Sequence, residues 1–356
     1  MLFSFTSAVA TALLASTSFA LPQNTNSASS QACNNSPSLC SREYNKIFYL
    51  GAHDSSFLRD ASTGDSVAGN QFKNATLALD AGLRMLQGQV HTKDNELHLC
   101  HTSCDLLDAG LLKDWLSPIS DWMQKNPNDV VTILLVNSDK APMSEFGQAF
   151  EASGLSKLGY KAPTETATGN WPTLQSMIDA KTRVVSFITN AKYDSSVPYL
   201  LPEFDFMFET SFEVTELTGF NCDLDRPSRL DSAQNALSSN YLSLVNHFKY
   251  QVLFGNIMAP DVDNVNVTNS GSTSTPGNLG LHLKNCKSQW GTVPNFAIID
   301  FWDKENPLDA ADSINGLSDV TGRKSVEEID SETSAGTTLQ LQRGVLASLV
   351  MAALLF

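Results

Sequence analysis

The run Val130-Val131-Thr132-Ile133-Leu134-Leu135-Val136 is apolar on both alternating faces apart from Thr132. Successive side chains of a strand point to opposite sides. A strand built from this run must therefore be covered on both faces, as in a parallel sheet lying between an inner core and a layer of helices. Shorter runs of similar character are Ile47–Leu50, Arg84–His91, Leu97–Cys100, Arg183–Ile188, Phe204–Glu209, Val252–Ile257 and Phe296–Phe301. Helical patterns separate them. In one, Leu112, Trp115, Leu116, Ile119, Trp122 and Met123 recur at helical spacing, and Pro118 is expected to kink or restart that helix. Several β–α units and no linker-like interruption from 33 to 322 imply one α/β domain, either a parallel barrel or an open doubly wound sheet. No G-x-G-x-x-G follows a strand, which removes support for a dinucleotide fold. The polar stretch from Asp263 to Gly280 is expected as a rim loop.

The flanks carry a different kind of signal. Residues 1–20 lack charge and end in the small residues Ser18 and Ala20, so a cleaved signal peptide is expected there. Residues 21–32 follow as a polar leader, and residues 323–334 as a polar stalk. Small residues Ser334-Ala335-Gly336, a polar spacer to Gly344 and an apolar tail from Val345 to Phe356 match the signal for a glycosylphosphatidylinositol (GPI) anchor. Residues 335–356 would then be removed, with Ser334 the expected attachment site and Ser331 and Gly336 its rivals. The tail alone is too short to span a bilayer, which takes about 20 apolar residues. The protein is thus expected to be secreted and held at the cell surface, anchored to the plasma membrane or cell wall.

Six cysteines in an exported chain imply disulfides. Spacing suggests Cys33 with Cys40 and Cys100 with Cys104, which leaves Cys222 for Cys286. Paired C-x-x-C elements of a zinc site are missing, and neither a metal nor a cofactor is expected. The sequons at Asn34, Asn74 and Asn266 suit the same compartment. A formal net charge of −15 argues against nucleic acid as a partner and against electrostatic recruitment to anionic membranes. A monomer is expected.

Three segments could carry chemistry. Gly51-Ala52-His53-Asp54-Ser55 places a His-Asp pair after the apolar run IFYL, where barrel enzymes keep catalytic groups. Leu97-His98-Leu99-Cys100-His101 offers two histidines three apart on a strand-like segment, facing opposite sides, so a single functional histidine is expected. Phe296-Ala297-Ile298-Ile299-Asp300 ends an apolar run in a carboxylate that needs a buried partner. The run to His91 and the run from Leu97 read as a hairpin. Pairing His91 with Leu97 would set His101 across from Gln87 and gather Gln87, Gln89 and His91 on one face.

GAHDSSF, GLRMLQGQVHTKDNELHLCHTSC, NPNDVVTILL, WPTLQSMI, KTRVVSFI, FETSFEVT, LVNHF and PNFAIIDFW occur in that order. The ordered set, over roughly residues 42–320, resembles fungal phospholipase-C-like phosphodiesterases and the X domain of bacterial phosphatidylinositol-specific phospholipases C. The resemblance implies a single-domain distorted TIM-type (β/α) barrel that cleaves phosphodiesters of phosphoinositide or related glycolipid head groups without a metal. His53 matches its general base, His101 its general acid, Asp300 the carboxylate that orients the base, and Asp54 the one that supports the acid. One neutral and one protonated imidazole can exchange protons near neutral pH, each such group giving about 10²–10⁴-fold.

The match departs from the bacterial pattern at two positions expected to meet substrate. Gln87 stands where those enzymes carry an aspartate, and Gln89 where they carry a phosphate-binding arginine; calcium-dependent relatives carry acidic ligands there. His91, Lys192 and His247 are the candidates to supply the missing positive charge. The alternative is a catalytically impaired surface protein that binds a head group or a wall glycan. For processing, deletion of residues 335–356 is expected to release the protein into the medium, read by immunoblot of culture supernatant; recovery of soluble full-length protein ending in Phe356 would contradict the anchor.

Overall fold

The computed structural model describes residues 31–255 and 257–333, with Met1. The expected signal peptide, most of the leader, Ser334 and the removed tail lie outside the described residues.

The apolar runs form strands β1 Tyr49–Ala52, β2 Met85–Lys93, β3 Glu96–Cys100, β4 Asp108–Leu111, β5 Val131–Asn137, β6 Val184–Ile188, β7 Leu200–Pro202, β8 Met207–Glu209, β9 Leu242–Asn246, β10 Tyr250–Phe254, β11 Ile257–Pro260 and β12 Phe296–Ile299. Eight of them pair in the order β7-β6-β5-β2-β1-β12-β9-β8, every neighbouring pair parallel. Among the described residues no ladder joins β7 to β8, where the short helix Glu203–Phe206 intervenes. The curled sheet with its outer helices is therefore a TIM-like barrel left open at one seam, which is the expected distortion.

Two-sided burial of β5 accounts for its composition. Ile133 and Leu135 pack outward with Leu116, Ile119 and Phe146 of the helix layer. Leu134 packs inward with Met85, Phe187 and Ile298. Thr132 also faces inward, where its hydroxyl bonds the Tyr44 hydroxyl at 2.6 Å. Tyr44 stacks on Trp171 at 4.8 Å and lies 5.0 Å from Tyr49, which stacks on Phe296. These aromatic rings fill the barrel where β1 and β12 begin and leave the carboxyl ends of the strands to form a cavity. Gly51 fits this interior because a Cβ there would lie 2.7 Å from the Cβ of Met85 on the paired strand.

Several expectations are corrected. The β2–β3 hairpin turns on two residues, Asp94 and Asn95, both at positive φ (53° and 63°). Asp and Asn tolerate that region, so the loop is shorter than expected. His91 consequently faces His98, and Thr92 faces Leu97. The ladder is thus one residue out of the expected register, and His101 lies beyond β3 rather than opposite Gln87. Val252–Ile257 is not a barrel strand; it belongs to the antiparallel β10–β11 hairpin outside the parallel sheet. The barrel strand is instead Leu242–Asn246, whose Ser243 and Asn246 break the apolar pattern. Phe204 to Phe206 belongs to the seam helix, and only Met207–Glu209 is strand. The helix Leu112–Lys125 runs unbroken through Pro118.

The segment expected as a rim loop packs against the site, and the expected stalk is packed as well. Asn269, inside the supposed rim loop, is buried, and its amide donates to the carbonyls of Asp300 and Phe301 at 2.9 Å each. In the expected stalk, residues 326–333 are helical, Ile329 is buried, and Arg323 makes a two-pronged ion pair with Asp312. Asn34 is buried with its side chain on the backbone of Val130, so this sequon is structural rather than a sugar acceptor. Asn74 and Asn266 are exposed.

The three disulfides are Cys33–Cys40, Cys100–Cys104 and Cys222–Cys286, the pairs that spacing suggested. The third closes a loop of 64 residues, worth about 4 kcal/mol in the chain-entropy account. Replacing both Cys222 and Cys286 by Ala should lower stability by about 2–5 kcal/mol, measured by denaturant unfolding. A change below about 1 kcal/mol would mean the denatured chain is already restrained there.

Candidate active site

The four expected catalytic residues each stand just beyond the end of a strand, whereas Gln87 and Gln89 lie within β2. His53 follows β1, and its amide still donates to the Ile299 carbonyl on β12 at 2.9 Å. Asp54 then adopts positive φ (43°), and the turn it makes is fastened to Gln87 of β2. Gln87 Oε1 accepts from the Asp54 amide at 2.6 Å, and the Gln87 carbonyl accepts from the amide and hydroxyl of Ser55. His101 follows β3 inside the loop closed by Cys100–Cys104. Gln89 Oε1 accepts from the adjacent Thr102 amide at 2.7 Å, while Gln89 Nε2 donates to the Ser138 hydroxyl at 3.2 Å. Asp300 follows β12, its turn held by Asn269 and by the Asn70 carbonyl, which accepts from the Phe301 amide. The two glutamines thus brace the two histidine-bearing turns.

The four expected catalytic residues converge. Asp300 Oδ1 lies 2.8 Å from His53 Nδ1. Asn70, fully buried, donates to the same oxygen at 3.0 Å. With the ring proton on Nδ1 donated to Asp300, Nε2 of His53 is left as the basic atom. Asp54 Oδ2 lies 3.6 Å from that Nε2 and 3.5 Å from Nε2 of His101. One carboxylate oxygen therefore faces the reactive edge of both imidazoles. Phe248 stacks flat on His53, with ring centroids 3.6 Å apart, and Phe57 meets His101 edge-on. Burial opposes a charge on His53, yet the carboxylates of Asp54 and Asp300 outweigh it and hold the imidazole above its usual range.

These groups line a cavity of about 280 Å³ at the barrel mouth, with Leu134 and Ile298 at its apolar base. Gln87 and Gln89 also line it. Across from the histidine-bearing strands stand residues that the sequence did not single out: Glu209 at the end of β8, Asn246 at the end of β9, and Arg226. Arg226 pairs through Nη2 with Glu209 Oε2, to which Asn246 Nδ2 also donates at 3.2 Å. Glu203 lies beneath them, fully buried, with no donor facing either oxygen. Burial and the neighbouring Glu209 push its carboxyl well above the usual carboxylate range.

None of the three candidate cations lines this cavity. His91 is engaged by Asp139, and Lys192 is exposed elsewhere. His247 is buried against His282, and burial together with that neighbour lowers it to about 3, which leaves it neutral. Glu209, Asn246 and Phe248 sit inside the family-like segments FETSFEVT and LVNHF, so a signal for them existed. Arg226 lies in a connection with none.

The PI-PLC X family model (PI-PLC X 1) matches residues 39–315. The chain belongs to the PI-PLC X family. It is 34% identical over 287 residues to PI-PLC X domain-containing protein 1 of Arthroderma benhamiae, covering 80% of this chain and 90% of that one. It is 34% identical over the same length to an uncharacterized secreted protein of that organism, of which the match covers 62%. Two solved structures share the PI-PLC fold with this X domain. The phosphatidylinositol-specific phospholipase C from Listeria monocytogenes has TM-score 0.50 at 15% identity, over 78% of this chain and 96% of that one. A variant of the Staphylococcus aureus enzyme has TM-score 0.51 at 12% identity, over 78% and 95%.

The His53–Asp300 contact has a direct test. In Asp300→Asn the amide no longer favours the imidazolium, so the pKa of His53 should fall, as expected for loss of an adjacent opposite charge. Nuclear magnetic resonance titration of the imidazole measures it; an unchanged value would show that Asp54 alone sets the proton affinity.

Proposed function

We propose that this PI-PLC X domain is a phosphodiesterase that cleaves phosphoinositide or related glycolipid head groups by two-histidine acid–base catalysis. The observation that carries this reading is the placement of both imidazole Nε2 atoms against one Asp54 oxygen in a single cavity, with Asp300 behind His53. His53 Nε2 takes the proton of the inositol 2-hydroxyl as its oxygen forms a bond to phosphorus. The bond from phosphorus to the glycerol oxygen breaks, and His101 protonates that oxygen. The products are a cyclic inositol phosphate and a diacylglycerol. Asp300 fixes the tautomer of the base, and Asp54 stands 3.5 Å from Nε2 of His101. Export of this chain is supported by its three disulfides and by a relative named as a secreted protein. The GPI anchor completes the proposal, placing the enzyme on an outer surface.

A lipid rather than a soluble substrate is supported by where the exposed large apolar side chains fall. Apart from Met1, among the described residues these are Val67, Leu106, Val252, Leu253, Phe254, Ile257 and Met258. Val67 lies in the loop between His53 and Asn70, and Leu106 in the loop that follows His101. The others form the tip of the β10–β11 hairpin that follows Phe248. The loops of Val67 and Leu106 carry Asn70 and His101, and the hairpin begins at Tyr250, which lines the cavity. With a net charge of −15, contact with a bilayer would rest on these apolar groups.

The alternative, a head-group-binding protein without turnover, is favoured by Gln87 and Gln89, whose Oε1 atoms are committed to backbone amides. Purified mature protein separates the two. Hydrolysis of phosphatidylinositol in vesicles is expected, with a bell-shaped pH–rate profile whose acid limb lies above the ordinary imidazole value of about 6.5. His53→Ala and His101→Ala should each remove at least about 10²-fold. Phe254→Glu should depress hydrolysis of vesicles and spare that of a short-chain monomeric substrate. Binding without hydrolysis would select the alternative.

A further inference from the structure

Acid–base groups alone leave one requirement unmet, because charge develops on the phosphoryl oxygens as the new bond forms. A preorganised cation or donor set aimed at that charge is usually the largest single contribution to rate. Both positions that could have carried it on β2 are glutamines engaged in bracing turns. Among the described residues lining the cavity, the one lysine or arginine is Arg226.

Its position is fixed by more than its side chain. The Arg226 carbonyl accepts from the Glu209 amide at 2.8 Å, and the Arg226 amide donates to the Glu209 carbonyl at 3.3 Å. The residue is thereby tied to the end of β8 although it lies 17 positions further along the chain. Its guanidinium stacks over Phe212 at 4.4 Å and lies 5.7 Å from the Phe204 ring, which limits the directions it can take. Nη2 is held by Glu209, whereas Nε is buried with no partner.

The surrounding charges orient the pair. The Arg226 side chain is 36% exposed and that of Glu209 only 3%. Both residues line the cavity, and the arginine is the more accessible end of the pair. A second carboxylate, Glu203, adds no opposing charge while it holds its proton. Arginine suits such a task because its planar donors match phosphate oxygens and it keeps its charge when partly buried.

Resting on the phosphodiesterase reading, we propose that Arg226 is a catalytic residue that binds a non-bridging phosphate oxygen, supplying from the β8 side the cation that Gln87 and Gln89 do not. Glu209 is its positioning residue. The substrate phosphate would then sit between the histidine edge of the cavity and the β8 edge, which fixes the direction from which the diester enters.

Arg226→Met keeps an apolar stem over Phe212 and removes the donors. Its kcat on phosphatidylinositol should fall by about 10²–10³-fold, with the melting temperature as the check on folding. Phosphorothioate diesters add a readout that a structural role would not move: the wild type should discriminate between the two sulfur diastereomers, and R226M should lose that discrimination. Lys192→Met, an exposed cation outside the cavity, should match the wild type. R226M within about threefold of wild type in kcat, or with its sulfur discrimination intact, overturns the proposal. Should R226M fail to fold, Arg226→Lys decides, because a retained charge without the planar fork should still weaken the discrimination; an unchanged value overturns the proposal.

Binding separates failure of this assignment from failure of the catalytic reading. If the wild type turns over no diester, calorimetric titration with inositol 1-phosphate and with myo-inositol still tests Arg226. A preference for the phosphorylated ligand that disappears in R226M supports the assignment in a non-hydrolytic protein. A preference that survives in R226M, or that the wild type lacks, overturns it.

Discussion

The contact between His53 and Asp300 is the constraint around which the barrel mouth is arranged. Both side chains are nearly out of water, and an ion pair there is stable only if further hydrogen bonds satisfy it. The surroundings answer that need in part, because His53 and Asn70 both engage Oδ1 of Asp300 while Oδ2 is buried without a partner. Asn70 donates to Asp300 from the loop after β1, Asn269 holds the Asp300 turn from the segment after β11, and Gln71 bonds the carbonyls of His53 and Ile299. Loops that look dispensable by composition are therefore buried against the site.

The two glutamines on β2 serve the candidate site as braces rather than as charged groups. Each amide oxygen holds one histidine-bearing turn, Gln87 the turn at Asp54 and Gln89 the turn at Thr102. A neutral amide does this without adding a carboxylate beside Asp54, whose Oδ1 is already buried and unpartnered. Neither glutamine brings a cation to the cavity. The cavity's positive group comes instead from the opposite wall, where Arg226 rests on Glu209 and on two aromatic rings.

Much of the site was legible because its residues are local. GAHDSSF and NFAIID each place a polar residue at the end of an apolar strand, and a parallel barrel gathers such ends by topology alone. The cysteine pairs were legible for a similar reason, since two loops were short enough to leave one remaining partner. Less legible were the features decided by a single backbone angle or a contact between distant segments. Asp94 and Asn95 at positive φ moved the hairpin by one residue, and His101 reached the cavity from a loop rather than from the ladder. Ser243 and Asn246 hid a barrel strand, because a polar side chain that bonds Asn295 or Glu209 costs little in place but breaks an apolar pattern.

The sequence by itself determined a two-sided parallel sheet, the histidines and carboxylates at its strand ends, and the absence of charge at positions 87 and 89. These follow from residue type and short-range spacing, which a single chain displays in full. Only the tertiary structure decided that Asp54 faces both histidines, that Glu203 sits buried without a donor, and that Arg226 enters the cavity. Those outcomes depend on which distant segments meet, and a lone arginine in an irregular connection looks the same on paper whether it faces solvent or a phosphate site.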